Sequence, residues 1–234
     1  MLNIYLIRHG ESEANVNHHF IGGQDIKTKL TTNGAHQADQ LGYYLREKGM
    51  QCDQAFSSDT VRTRTTAAHV LDYLDYKGWV ILEQELIEHD TGDWEGKPHT
   101  LYNRPDVARA IKEDKWNFTP GDIRKGESMA DVAVRMRKVI ERMIDCYADY
   151  PCIQNVFVFS HGMAIRCLLI DLFQLDKSSE IAIDNTSVTV IRFHDGLLID
   201  PFCYYEGQEG EVVIGENGNW YISDDLWNNT EHLK

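Results

Sequence analysis

The sequence predicts an α/β fold, a largely parallel sheet covered by helices on both faces. Three observations predict it. Short apolar runs rich in branched and aromatic side chains end abruptly in polar residues, at 3–12 and again at 155–162, and such runs read as strands buried on both faces. Segments with apolar residues at three- and four-residue spacing alternate with them, the pattern of a sheet built from strand–helix units. No repeat, linker or low-complexity stretch divides the 234 residues, so 1–234 is read as one domain.

Residues 3–8 are the first predicted strand, and Gly10 lets the backbone turn closely at its end. Residues 13–31 are polar, a loop with Gly22 and Gly23 at its turn; His18 and His19 lack a third ligand at metal-binding spacing and read as solvated. Residues 32–48 form a helix with Ala35, Ala38, Leu41 and Leu45 on one face and Gly49 as its stop. A strand at 53–57, a helix at 60–74 with Arg62 in its first turn, and a strand at 79–82 follow, leading through Glu85 to Glu88. Residues 97–127 lack strong periodicity and carry Trp116, Phe118, Pro120 and several basic residues, a composition suited to a variable segment covering a site. The clearest helix is 129–147, where Val132, Met136, Val139, Met143 and Tyr147 make a core face behind a Ser128 cap with Asp131 three residues on. A strand at 155–160, a helix at 163–173 and a last core strand at 187–193 complete the sheet. Residues 195–234 form a C-terminal extension, with 211–214 and 219–222 as a hairpin around Gly215-Glu216-Asn217-Gly218. Trp220 and Trp227 are candidates to dock it onto the domain or a second subunit.

Composition narrows the function classes. A formal charge of −14 argues against nucleic-acid binding, which needs a basic footprint. It leaves room for a small anionic substrate, because a few arginines inside a cleft can focus positive potential against an acidic exterior. No apolar run approaches the length of a membrane span, and the N-terminus lacks the basic start and small-residue cleavage site of a secretory signal. Five cysteines without CxxC spacing argue against a disulfide framework or a zinc site. The expectation is a cytoplasmic protein with reduced thiols at Cys52, Cys146, Cys152, Cys167 and Cys203, and with chance N-x-[ST] matches at Asn117, Asn185 and Asn228.

Two of the strands end alike. The first runs into Arg8-His9-Gly10 and the second into Ser160-His161-Gly162, and open α/β sheets bind ligands at the C-terminal ends of their strands. One such histidine is ordinary; two brought to one sheet edge beside other polar groups make a candidate site.

The stretch Leu6-Ile7-Arg8-His9-Gly10-Glu11-Ser12, with Asn15 following, resembles the signature of the histidine phosphatase superfamily, also called the phosphoglycerate mutase-like family. Four further blocks follow in that family's order. They are Ser57-Ser58-Asp59-Thr60-Val61-Arg62-Thr63-Arg64-Thr65-Thr66-Ala67, Glu88-His89-Asp90-Thr91-Gly92-Asp93-Trp94-Glu95-Gly96, Gly126-Glu127-Ser128, and Ser160-His161-Gly162. The resemblance covers residues 2–194 and implies a three-layer α/β/α sandwich.

Phosphoryl transfer needs a nucleophile, neutralisation of the non-bridging oxygens and a proton for the leaving group. A neutral imidazole attacks without adding negative charge; the residues alone leave open which histidine does so, and the resemblance assigns the attack, through a phosphohistidine, to His9. Arg8 and Arg62 offer forked donors matched to phosphate. His161, at a helix start, adds a donor beside backbone N–H groups that favour anions. Glu88 is the candidate to protonate the leaving alkoxide and then to activate water, with Asp90 and Asp93 as runner-up acids. Asn15 is a candidate to position the phosphate, and Gly22 and Gly162 offer backbone approach. With three cationic or donor side chains in place, no metal or other cofactor is implied.

Three activities fit: a phosphatase acting on a small phosphomonoester, a cofactor-dependent phosphoglycerate mutase, and a non-catalytic phospholigand binder. The complete set of Arg8, His9, Arg62, Glu88 and His161 speaks against a mere binder. The glycolytic mutases of the family carry a much longer insertion after the block ending at Gly96, which keeps water from the intermediate; here only residues 97–125 separate it from Gly126. Thr91 stands where those mutases have tyrosine, and Ile21 where they have threonine. The phosphatase is the favoured reading. Its leaving group stays open: Lys97, Arg104, Arg109, Lys112, Lys115, Arg124 and Lys125 could meet a second acidic group, or Trp116 and Phe118 an apolar one.

Overall fold

In the computed structural model, residues 2–17, 19–147, 150, 152–178, 181–193 and 230–233 are described, with the backbone alone for 202–205, 208–211, 220–222 and 231. His18, the segment 212–219, Trp227 and the side chains of Cys203 and Trp220 lie outside the described residues.

The first strand, β1 (Leu2–Arg8), shows how one short sequence supports two layers of helix. Leu2, Ile4 and Leu6 face one side and join a core with α5 (Met129–Tyr147) and α6 (Gly162–Leu172). Tyr5 and Ile7 face the other, against α2 (Thr32–Glu47) and α3 (Val61–Tyr73). Strand β4 (Asn155–Ser160) divides the same way, Val156 and Val158 to the first face and Phe157 and Phe159 to the second. The two-residue period of a strand imposes this division. Each fully buried side chain of this size contributes roughly 1.5–3 kcal/mol of apolar transfer.

The remaining sheet strands are β2 (Gln54–Ser57), β3 (Val80–Leu82), β5 (Val188–Phe193) and β8 (Trp220–Ile222), and the order is β3-β2-β4-β1-β5-β8. Pairing is parallel from β3 to β1 and antiparallel at β5 and β8. The fold is therefore the expected helix–sheet–helix arrangement with a mostly parallel sheet. In chain order, α2 and α3 cover one face before α5 and α6 cover the other, so the winding reverses beside β1 and β4. That reversal opens a crevice at their C-terminal ends, where sheets of this kind bind ligands. The register sets Arg8 opposite Ser160 and so brings the two His-Gly pairs side by side.

Local signals account for the elements around this crevice. Thr31 accepts a hydrogen bond from the Gly34 amide to cap α2, Thr60 does the same from Thr63 for α3, and Ser128 and Asp131 bond reciprocally at the start of α5. The chain after β1 crosses the first turn of α2 so closely that a Cβ on Gly10 would lie 2.3 Å from the Gly34 carbonyl oxygen. The loop expected at 13–31 contains one short helix, α1 (Glu13–Val16), where the Asn15 carboxamide caps Ser12.

The segment 97–127 is more ordered than its composition indicates. It forms a 3₁₀ turn (His99–Asn103) and α4 (Pro105–Glu113), whose Val107 joins Ile21 and Trp94 in a small separate core flanked by Leu101, Tyr102, Ile111 and Phe118. Its start is laced to the loop after α1: Ile21 N–H donates to the Lys97 carbonyl, and His99 N–H to that of His19. In the C-terminal region, β6 (Phe202–Tyr205) pairs with β7 (Gln208–Glu211), and β8 runs along β5. The turn and most of the expected hairpin, 212–219, lie outside the described residues; at its flanks Glu211 lies opposite Phe202, and β8 runs along the edge of β5. Cys52, Cys146, Cys152 and Cys167 are free thiols. No helix among the described residues is long and apolar enough to cross a membrane.

Candidate active site

A cleft of about 940 Å³ opens over the ends of β1 and β4. Of the residues expected from the sequence, Arg8, His9, Asn15, Gly22, Arg62 and Glu88 line it. His161 and Gly162 lie immediately behind that wall: His161 is fully buried, and its ring meets that of His9 edge-on with centroids 5.2 Å apart.

His9 is buried, and its Nδ1 lies 2.7 Å from the Gly10 carbonyl oxygen. A carbonyl can only accept, so Nδ1 carries the proton and Nε2 keeps its lone pair. Burial first, then the Arg8 and Arg62 charges, hold this imidazole well below the usual histidine range, so it is neutral at neutral pH. The backbone carrying it is fixed from three sides. Thr66 Oγ1 accepts from Gly10 N–H at 3.0 Å, Thr186 N–H donates to the Arg8 and His9 carbonyls, and Asn185 Nδ2 donates to the His9 carbonyl at 3.0 Å.

Arg8 donates from Nη1 to the Ile183 carbonyl at 2.7 Å, while its buried Nε has no partner among the described residues. That N–H is a donor available to an incoming anion. Arg62 anchors the facing loop, from Nη1 to the Asp25 carbonyl at 2.6 Å and from Nη2 to the Gly23 carbonyl at 3.2 Å. Its Nε donates to His161 Nδ1 at 3.3 Å, which makes Nδ1 the acceptor and leaves the ring proton on Nε2, 2.9 Å from Ser58 Oγ. Burial, then Arg62, holds His161 well below the usual range as well. Both of its nitrogens are therefore engaged, and contact with a phosphate requires giving up one partner.

The start of α6 differs from expectation in one respect. Its amides are occupied by a carboxylate of the chain itself: Glu88 accepts from Met163 N–H at 3.2 Å, from Ala164 N–H at 3.0 Å and from His89 N–H at 2.8 Å. A helix N-terminus favours an anion, and here that anion is Glu88, held at the cleft wall. The runner-up acids point elsewhere: Asp90 pairs with Arg124 and Asp93 with Lys97, and neither lines the cleft. The Asn15 carboxamide oxygen accepts from Ser12 and from Asn185 Nδ2, so only its NH₂ group remains for a ligand. A Cβ at Gly22 would meet nothing within 4 Å, whereas one at Gly162 would press on Arg8 Nε at 3.2 Å.

Sequence reasoning overlooked the residues that brace this set. Glu127 belongs to a motif block but had no role there. It binds Arg135, whose Nη2 reaches the Glu88 carbonyl at 3.1 Å, and it accepts from Asp90 N–H. Gln24 donates to the same Glu88 carbonyl at 2.9 Å. Ser58 likewise sat inside a block unremarked. Asn185 had no signal beyond a chance glycosylation pattern.

The arrangement can present a neutral imidazole lone pair between two guanidinium groups, with a carboxyl group across the cleft. Comparison with known proteins identifies the family. The family model for the histidine phosphatase superfamily (branch 1) matches residues 4–198. A protein of Photorhabdus laumondii named "Probable phosphoglycerate mutase GpmB" is 34% identical over 186 residues, covering 77% of this chain and 79% of that one. The broad-specificity phosphatase YOR283W of Saccharomyces cerevisiae is 30% identical over 195 residues, covering 82% and 80%. The structure of Bacillus stearothermophilus YhfR superposes with a TM-score of 0.76 at 21% identity over 100% of both chains, a likeness of fold.

Proposed function

The chain belongs to the histidine phosphatase superfamily, and on that premise we propose that it hydrolyses small phosphomonoesters through a phosphohistidine on His9. The observation that carries this reading is the 2.7 Å contact of His9 Nδ1 with the Gly10 carbonyl, which puts the ring proton on Nδ1 and leaves the Nε2 lone pair on a residue that lines the cleft with Arg8 and Arg62. The substrate phosphate binds against Arg8 and Arg62, with the Asn15 amide as a further donor. Glu88 takes up the proton that the phosphomonoester monoanion brings into the cleft; His9 Nε2 attacks phosphorus in line as the ester oxygen departs, and Glu88 delivers that proton to the oxygen. Glu88, again a carboxylate, takes a proton from the water that attacks the phosphohistidine and passes it to the departing inorganic phosphate, leaving His9 as a neutral imidazole.

Two considerations favour hydrolysis over mutase chemistry. The segment over the site contributes one helix of nine residues and a 3₁₀ turn, a small cover for an intermediate that must turn around without meeting water. The broad-specificity phosphatase relative has similar coverage to the relative named as a mutase. The mutase reading keeps the support of the latter's name.

The test is phosphate release from a panel of phosphomonoesters in EDTA, beside a phosphoglycerate isomerisation assay primed with bisphosphoglycerate. Steady release without isomerisation is expected; primed isomerisation with little release would make the chain a mutase, and silence in both would make it a binder. Glu88→Gln should cost about 10²-fold on alkyl phosphates and far less on nitrophenyl phosphate, whose leaving group needs little protonation. Equal losses on both would remove Glu88 from the acid role.

A further inference from the structure

The cleft is electrostatically lopsided. Of 23 lysines and arginines, all but Lys234 are described, and only Arg8 and Arg62 line the cleft. The basic residues of the covering segment, which the sequence offered as partners for a second acidic group, are engaged elsewhere. Lys97 pairs with Asp93, Arg104 with Asp106 and Asp122, and Arg124 with Asp90, while Lys125 donates to the Gly121 carbonyl. Arg109, Lys112 and Lys115 do not line the cleft. Lys27, beside the lining residues Ile26 and Thr28, does not line it either, and its charge acts on Asp25.

What the outer half does present is acidic and aromatic. Glu13, Asp25 and Glu95 line it, with Asp25 and Glu95 close enough to Arg62 for their charges to act on it. Phe20, 45% exposed, is bridged to Pro98, and the His99 and Tyr102 rings stand 6.0 Å apart at 33°; all three rings line the same cleft. The candidate aromatics of the sequence are not there: Trp116 belongs to the main core and Phe118 packs on Trp94. A second anionic group on the substrate would thus enter beside three acidic side chains, with no lining cation among the described residues besides the Arg8 and Arg62 that take the phosphate. A flat, uncharged ring would meet aromatic faces instead.

Resting on the hydrolase reading above, we infer that the outer half of the cleft selects phosphomonoesters whose alcohol is a ring-bearing group without negative charge and turns away those that carry a second acid. Phosphoglycerates, with a carboxylate beside the ester, fall in the disfavoured class.

The experiment compares phenyl phosphate with its para-carboxymethyl and para-aminomethyl derivatives, in which the methylene keeps the leaving groups alike. The carboxymethyl ester should lose about tenfold or more in kcat/KM, chiefly through KM, while the aminomethyl ester matches or exceeds the parent. Glu13→Gln with Glu95→Gln should narrow that gap, and Phe20→Ala should raise KM for phenyl phosphate while leaving glycerol phosphate unchanged. Equal or better cleavage of the carboxymethyl ester would overturn the inference. Affinities of the three esters for the His9→Ala protein, measured by calorimetry, test it without turnover. If no ester is hydrolysed the hydrolase reading fails, and the order of affinities still decides the inference.

Discussion

The two His-Gly strand ends start from nearly the same sequence and arrive at different chemistry. Both histidines are neutral and buried, and parallel pairing sets them side by side. After β1 the chain turns across α2, so His9 sits on a loop with one nitrogen tied to a backbone carbonyl and the other without a hydrogen-bond partner among the described residues. After β4 the chain enters α6 at once, and His161 becomes the residue before the helix, both nitrogens held by Arg62 and Ser58. On the proposed mechanism, what separates the nucleophile from its support is the element that follows the strand and the partners it brings to the ring.

The sharpest way to break this comparison is to truncate each ring. His9→Ala should lose at least about 10⁴-fold in turnover and all acid-labile phosphoenzyme, whereas His161→Ala should lose about 10²–10³-fold and still form some phosphohistidine. Rapid-quench labelling with a phosphorylated substrate checks it. Phosphoenzyme persisting in His9→Ala and absent from His161→Ala would exchange the two roles.

The glycines after the histidines differ as their neighbours do. A Cβ at Gly10 meets a backbone oxygen at 2.3 Å and cannot be accommodated without moving the chain, while one at Gly162 meets the Arg8 side chain, at 3.2 Å from Nε, and needs that side chain to give by only a few tenths of an ångström. Gly10→Ala should therefore cost about 2–4 kcal/mol of stability in denaturant titration. Gly162→Ala should leave stability nearly unchanged and raise KM and the phosphate Ki about tenfold. Smaller still is Ser58→Ala, which removes the acceptor for the His161 Nε2 proton. It should lower kcat about three- to tenfold and alter the pH profile, because the ring loses the bond that fixes its tautomer; an unchanged profile would make Ser58 packing alone.

How much of this was legible follows from where each signal resides. Residues 2–8, 129–147 and 155–160 announce themselves because one-face or two-face burial imposes a period on consecutive residues. Arg8, His9 and His161 were legible because such residues are scarce at the ends of buried strands, whereas Arg62 and Glu88 were legible only through the resemblance to the family. Arg135, Gln24 and Asn185 were not, because each reaches a backbone carbonyl, and such contacts depend on three-dimensional placement and leave no side-chain pattern. The same reason hid the occupation of the α6 amides by Glu88: the distance from 88 to 163 in sequence says nothing of their meeting. Segment 97–127 looked irregular because its small core draws partners from Ile21 and Trp94 outside it.

The least expected brace comes from the far end of the chain. His232 is 9% exposed, with Nε2 2.7 Å from Thr186 Oγ1 and a buried Nδ1 that has no partner among the described residues. Thr186 donates its own hydroxyl proton to the Asn185 carbonyl, so His232 donates from Nε2 and its lone pair stays on Nδ1. Protonating that atom would bury an unpaired charge, and burial accordingly lowers His232 from 6.5 to about 4. His9 and His161 are depressed in the same direction. All three are neutral in the native fold, whereas in the unfolded chain they take up protons below about pH 6.5. The unfolded state then holds more protons, so stability falls as pH drops from about 6.5 toward 4 and the loss from His232 levels off below its native pKa. Melting temperature should fall by a few degrees per pH unit in this window. His232→Gln, which keeps a donor for Thr186 and cannot titrate, should make the slope shallower while leaving turnover at neutral pH within about twofold. An unchanged slope would mean that the 230–233 turn does not dock behind Thr186 in solution.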